Sequence, residues 1–203
     1  MSKKMIAGLL AVVLVLTTVI GGTLAWLSAK TPDVVNTFTV GDIKLELKEH
    51  DGNQEVTNRE YTHVKPGDKL DKDPFVRVTE GSEACYVYVK VVAANNFVND
   101  KQIVSYPVNT NWTQVTTNDG SLVYRYNNIV TTDKMGDTHK LYILDKNQVT
   151  INDKLTKDDF EAIRSAGAPT LTFTAAAVQS DNIGGEAKAD VEALALLNAP
   201  VAP

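Results

Sequence analysis

The run Cys85–Val92 constrains this chain more than any other stretch. Cys85, Val87, Val89 and Val91 fall on one face of an extended strand, and Tyr86, Tyr88, Lys90 and Val92 on the other, because side chains alternate across a strand. β-Branched and aromatic residues suit that pleated surface. Apolar bulk on both faces predicts a central strand.

The rest of the body carries the same signature. Phe38 and Val40, then Ile43, Leu45 and Leu47, alternate with polar residues, with Gly41-Asp42 as a bend or bulge between them. Phe75–Val78, Leu141–Leu144, Val149–Ile151 and Leu171–Val178 read as further strands. Trp112–Thr117 and Leu122–Tyr126 flank Asn118-Asp119-Gly120-Ser121, the composition of a hairpin turn. In Lys65-Pro66-Gly67-Asp68, proline fixes φ at the second position and glycine is free at the third, so Pro66, Gly67 and Asp68 form a structural turn.

Two helices are expected. The first follows Thr156 and Asp159, which resemble a capping box; Phe160 and Ile163 share a face, and Gly167 with Pro169 stops it. The second spans about Glu186 to Leu197, with Val191, Leu194 and Leu197 on one side. Many short strands with turn signals between them predict a mainly all-β, two-sheet antiparallel sandwich with two short helices.

The N-terminus reads as a targeting segment. Lys3 and Lys4 precede an apolar run from Met5 to Ile20, and Thr23-Leu24-Ala25 offers a small-x-small cleavage site, so cleavage is expected between Ala25 and Trp26. The alternative is an uncleaved anchor, although the run falls short of the ~20 apolar residues of a membrane span unless Gly21–Leu27 is added. The exported product would keep all 25 acidic residues and lose two of 20 basic ones, for a net charge of about −7. That balance excludes nucleic acid or anionic lipid as a main partner. Membrane contact is expected only before cleavage.

Little in the chain points to catalysis. His50, His63 and His139 are the only histidines and none belongs to H-E-x-x-H. His50 reads as a loop residue, His139 as a strand residue, and all three as solvated. No catalytic, cofactor-binding or metal-ligating residue is assigned, and no cofactor is expected. The acids of Asp68–Asp73 and Asp51-Gly52-Asn53 could hold calcium or be solvated turn residues; they lack EF-hand spacing. Cys85 is the only cysteine, so no internal disulfide can form. It reads as a small buried hydrophobe or as a partner in an intermolecular bond.

Four segments carry a resemblance. Gly21-Gly22-Thr23-Leu24-Ala25-Trp26 resembles the junction cut by the SipW-type signal peptidase. Asn36–Leu45 resembles the strand that follows that junction, Val64–Leu70 the L-K-P-G-D turn, and Leu171–Gln179 the closing strand, of the TasA and camelysin (CalY) family of secreted biofilm matrix proteins. The resemblance implies a jelly-roll sandwich, export from a Gram-positive bacterium and self-assembly into extracellular matrix fibres, with the signal peptidase as the partner during export. It also implies that an N-terminal strand passes to the next subunit. On that basis residues 1–25 are a signal peptide, 26–35 a donor segment with Trp26, Leu27, Val34 and Val35 as its apolar members, and 36–203 one β-sandwich domain. A disordered tail is the alternative for 26–35. A monomeric adhesin and a camelysin-like surface metalloprotease are the alternatives for function.

Overall fold

The computed structural model describes residues 42–198, which lie within one compact unit. In chain order the strands are β1 (Leu45–Asp51), β2 (Gln54–Val56), β3 (Lys69–Asp71), β4 (Phe75–Val78), β5 (Cys85–Ala94), β6 (Phe97–Val98) and β7 (Lys101–Gln102). They continue with β8 (Val104–Ser105), β9 (Trp112–Val115), β10 (Leu122–Tyr126), β11 (Leu141–Tyr142) and β12 (Gln148–Ile151). Then come helix α1 (Lys157–Ala166), strand β13 (Thr170–Gln179) and helix α2 (Glu186–Asn198).

β5 is the central strand that its two apolar faces require. It pairs antiparallel along its full length with β13, from Ala94↔Thr170 to Cys85↔Gln179, and on its other edge with β10. β9 completes a sheet of order β13-β5-β10-β9, joined to β10 through the expected hairpin, where Gly120 takes φ +73°. A second antiparallel sheet, β11-β4-β1-β2, packs against it. Val87, Val89 and Val91 of β5 meet Val76 and Val78 of β4 in the main core, and Ile43, Leu45 and Leu47 pack at its margin. Two smaller sheets, β3-β12-β8 and the hairpin β6-β7, complete the fold. The chain is thus mostly β, with antiparallel sheets and two helices.

The other face of β5 is covered by α2, where Leu197 is buried and Leu194 packs partly buried as expected, but Val191 does not take part. Ala189, Ala193 and Leu197 are the buried residues and Val191 is 67 % exposed. Two features set this rotation of the helix. Alanines allow close approach to Tyr86, Tyr88 and Val178. Asp190 is drawn to the sheet, accepting from Tyr88 Oη at 2.9 Å and Arg125 Nη1 at 2.8 Å.

Helix α1 covers the third sheet, with Phe160 and Ile163 against Ile103, Ile151 and Leu155. Its capping box forms as expected. Asp159 N–H donates to Thr156 Oγ1, and Thr156 N–H donates back to Asp159 Oδ2 at 2.8 Å. The aspartate, where Glu or Gln is usual, has a second task. Buried, it accepts from Lys101 Nζ and Asn99 Nδ2, both at 2.7 Å, and so ties the β6-β7 hairpin to the helix start. The Lys101 ammonium, with the cap donors, holds its carboxyl well below the usual range.

One side of the sandwich is closed. Trp112 of β9 donates its indole N–H to Tyr142 O of β11 at 2.8 Å, and Val108 bridges to Leu144. This is why Leu141–Leu144 is a strand for only two residues before it turns to its new partner. On the opposite side β1 and β13 run near each other without pairing.

The Pro66-Gly67 turn is type II, with Gly67 at φ +84° and Asp68 N–H donating to Lys65 O at 3.2 Å. It docks on β12, where Gly67 N–H donates to Ile151 O and Ile151 N–H to Asp68 O. Gly67→Val is expected to cost about 1–3 kcal/mol through backbone strain. Gly67→Asn should cost less, because asparagine tolerates left-handed φ. Equal thermal midpoints for the three proteins would contradict this turn type.

Candidate functional site

Of the residues singled out from sequence, Ala25, Trp26, Leu27, Val34 and Val35 lie outside the described residues. The turn residues Pro66, Gly67 and Asp68 lie within them, between Val64 and Leu70, which line a groove.

The groove opens on the unclosed side of the sandwich and encloses about 800 Å³. Leu47 of β1, Leu70 of β3, Leu171 and Phe173 of β13, and Phe160 and Ile163 of α1 line it. Two strand edges border it. Among the described residues β13 pairs only with β5, and the Leu45–Lys48 stretch of β1 pairs only with β4. Such edges present unpaired N–H and C=O groups.

A strap of residues 57–64, without regular secondary structure, runs between β2 and the Pro66-Gly67 turn and contributes Arg59 and Tyr61 to the groove wall. Arg59 Nη1 donates to His50 O at 3.0 Å and Asp71 O at 2.9 Å; Tyr61 Oη donates to Asp71 O at 2.7 Å. Burial, helped by the Glu49 charge, pushes the Tyr61 phenol up to about 12, which keeps it a donor. Within the groove, Lys72 Nζ donates to Glu49 Oε2 at 2.8 Å, and both residues are more than nine-tenths buried.

The outer face of the second sheet is an ion network. Arg77 is bidentate to Glu55 at 3.1 and 3.0 Å and also bonds Glu46 through Nε at 3.0 Å. Lys140 reaches Glu55 at 2.7 Å. The Lys140 bond first, then Arg77, lowers the Glu55 carboxyl to about 2. A carboxyl that is more acidic folded than unfolded adds stability above its unfolded value, near 4.5, and loses it as pH falls towards 2. Urea midpoints are therefore expected to fall more between pH 5 and about 2.5 in the parent than in Glu55→Gln. Parallel falls would contradict the assignment.

His50 sits on β1, not in a loop, because the strand runs on to Asp51 before turning. Its ring is half-buried over Phe75. Lys140 Nζ lies 3.0 Å from His50 Nε2 and can only donate, so Nε2 accepts and the ring proton sits on Nδ1. Nδ1 then donates to Asp73 Oδ2 at 2.5 Å. His139 lies in the loop before β11, not on a strand, with Nδ1 donating to Met135 O at 3.0 Å. His63 is exposed, as expected from sequence.

All the histidines and Cys85 fall within residues 42–198. Both His50 nitrogens are engaged, one by an ammonium. Cys85 is fully buried, which pushes its thiol up to about 11. Three of the four acids of the two turn patches are drawn elsewhere: Asp73 to His50, Asp68 to Lys65 N–H and Asp51 towards Arg59. Among the described residues no three His, Cys, Asp or Glu side chains are grouped to hold a metal ion.

Sequence reasoning found the turn and the strands that border the groove. It missed the strap and the Lys72–Glu49 pair, since nothing local marks a charge as buried.

A family model described as camelysin metallo-endopeptidase matches residues 1–136. Among the described residues the side chains present are not grouped as the metal in that description requires. No curated protein and no solved structure matches the chain. With the family match covering about two thirds of the sequence, the chain belongs to the camelysin family.

Proposed function

We propose that this chain is exported, cleaved between Ala25 and Trp26, and assembled into extracellular matrix fibres, the N-terminal segment of one copy entering the groove of the next. The observation that carries this reading is the long edge of β13, unpaired among the described residues, beside an apolar groove of about 800 Å³. An incoming strand would satisfy edge N–H and C=O groups and fill apolar pockets with alternate side chains. The segment 26–35 brings Trp26, Leu27, Val34 and Val35. Burying three or four such side chains contributes on the order of 5–8 kcal/mol before association costs. Pro32 has no N–H, so it belongs at a strand end or faces away from the acceptor.

The subunit on this reading is structural rather than enzymatic. The family description favours a second reading, a surface metallo-endopeptidase. Electron microscopy of the purified mature protein, with a casein assay run with and without chelator, separates the two. Fibres without casein cleavage are expected. Chelator-sensitive cleavage by a protein that stays monomeric would favour the peptidase.

A further inference from the structure

Glu49 breaks the pattern of its own strand. Ile43, Leu45 and Leu47 pack on the main core, and Glu49 continues their face of β1, yet it is a carboxylate only 6 % exposed. Its partner Lys72 follows β3 and is 9 % exposed. Both line the groove, and the Lys72 ammonium lies 5.7 Å from the ring centroids of Tyr61 and Phe173.

Desolvating two ions in a largely apolar groove is costly, and apolar residues of similar size are often as stable or more so. Buried polar groups of this kind are best attested as devices that fix registry. The pair also has capacity to spare. An ammonium carries three N–H groups and a carboxylate two oxygens. Among the described residues the only side-chain hydrogen bond of either is their mutual one. Among those residues two of the N–H donors and the second carboxylate oxygen have no partner, and both side chains line the groove.

That arrangement is the complement of extended backbone. The N–H and C=O of one residue point to the same side of a strand, so Lys72 can donate to the carbonyl while Glu49 accepts from the amide. Sliding the strand by one residue turns both groups away and swaps the inward side chains. We propose that Lys72 and Glu49 are positioning residues that set the register of the strand entering the groove, by holding the backbone N–H and C=O of a single residue. This rests on the reading of the groove as an acceptor for a second copy's segment 26–35. Pro32, with no N–H, cannot be the residue held.

The test is the mature protein carrying Lys72→Met and Glu49→Leu together, which removes the polar anchor and keeps side-chain volume. The thermal midpoint is expected to stay level or rise, while fibre growth followed by light scattering slows about tenfold or more. Fibres that do form should show an irregular subunit repeat by electron microscopy. Unchanged growth and repeat would overturn the proposal. So would a lowered midpoint that accompanies the loss of assembly, since the pair would then be only a structural tie. A mature chain lacking residues 26–33 runs alongside. If it polymerises, the acceptor reading fails and the proposal with it; if only the double variant assembles normally, the anchor alone is wrong.

Discussion

A mature chain lacking Trp26–Asp33 is expected to remain a folded, β-rich monomer and to form no fibres. The described domain has its first strand at Leu45, and its three apolar clusters draw on residues from Ile43 onward. The deletion therefore removes no packing partner described in those clusters. What it removes is Trp26 and Leu27, half of the apolar content of the proposed donor, together with the length needed to span an acceptor edge. Circular dichroism reports whether the domain survives, and electron microscopy whether fibres form. On the proposed reading an uncleaved precursor should also fail to polymerise, because an uncleaved signal segment would hold the donor at the membrane. Polymerisation of the truncated chain would show that another contact drives assembly. Unfolding would assign residues 26–33 to the subunit's own core.

Lys72→Met alone is expected to destabilise the domain by about 3 kcal/mol, a large share of a net stability of roughly 5–15 kcal/mol. The loss comes from what is left behind. Glu49 keeps its carboxylate in the groove, more than nine-tenths buried, without the one ion-pair partner it has among the described residues. Adding Glu49→Leu removes that orphan and should recover the loss in full, so the two substitutions are strongly non-additive. Urea unfolding of the two single variants and the double variant measures the coupling. Additive losses would mean that the two side chains stabilise the fold independently.

The elements legible in the sequence were those whose local signals agree with their surroundings. β4 matches its expected bounds because Phe75–Val78 is buried at every position, and β5 is the expected central strand because both of its faces are apolar, although it runs two residues further, to Ala94. The Asp-Gly hairpin, the Pro-Gly turn and the α1 cap carry their chemistry within a few residues. Elsewhere a distant partner decided the outcome. Val191 was expected to share the buried face of α2 with Leu194 and Leu197, but Asp190 is held by Arg125 and Tyr88, so Ala189 and Ala193 face the sheet beside the two leucines and Val191 is left exposed. His50 precedes Asp51-Gly52 and looks like turn sequence, but hydrogen bonds to β2 and to Asp73 carry the strand through it. The groove is less legible still. It is assembled from β1, β3, β13, α1 and the strap, which no periodicity links.

The central claim is that one copy's N-terminal segment lies in another copy's groove, and a mixed cross-link tests it directly. One population of mature protein carries Val34→Cys, and the other carries Leu171→Cys on the groove wall beside the β13 edge. Cys85 has no exposed surface and stays silent. After assembly and oxidation, a non-reducing gel should show a dimer that forms only when both populations are present. A dimer missing from the mixture, or a cross-link that forms only within a single chain carrying both cysteines, would contradict strand donation between subunits.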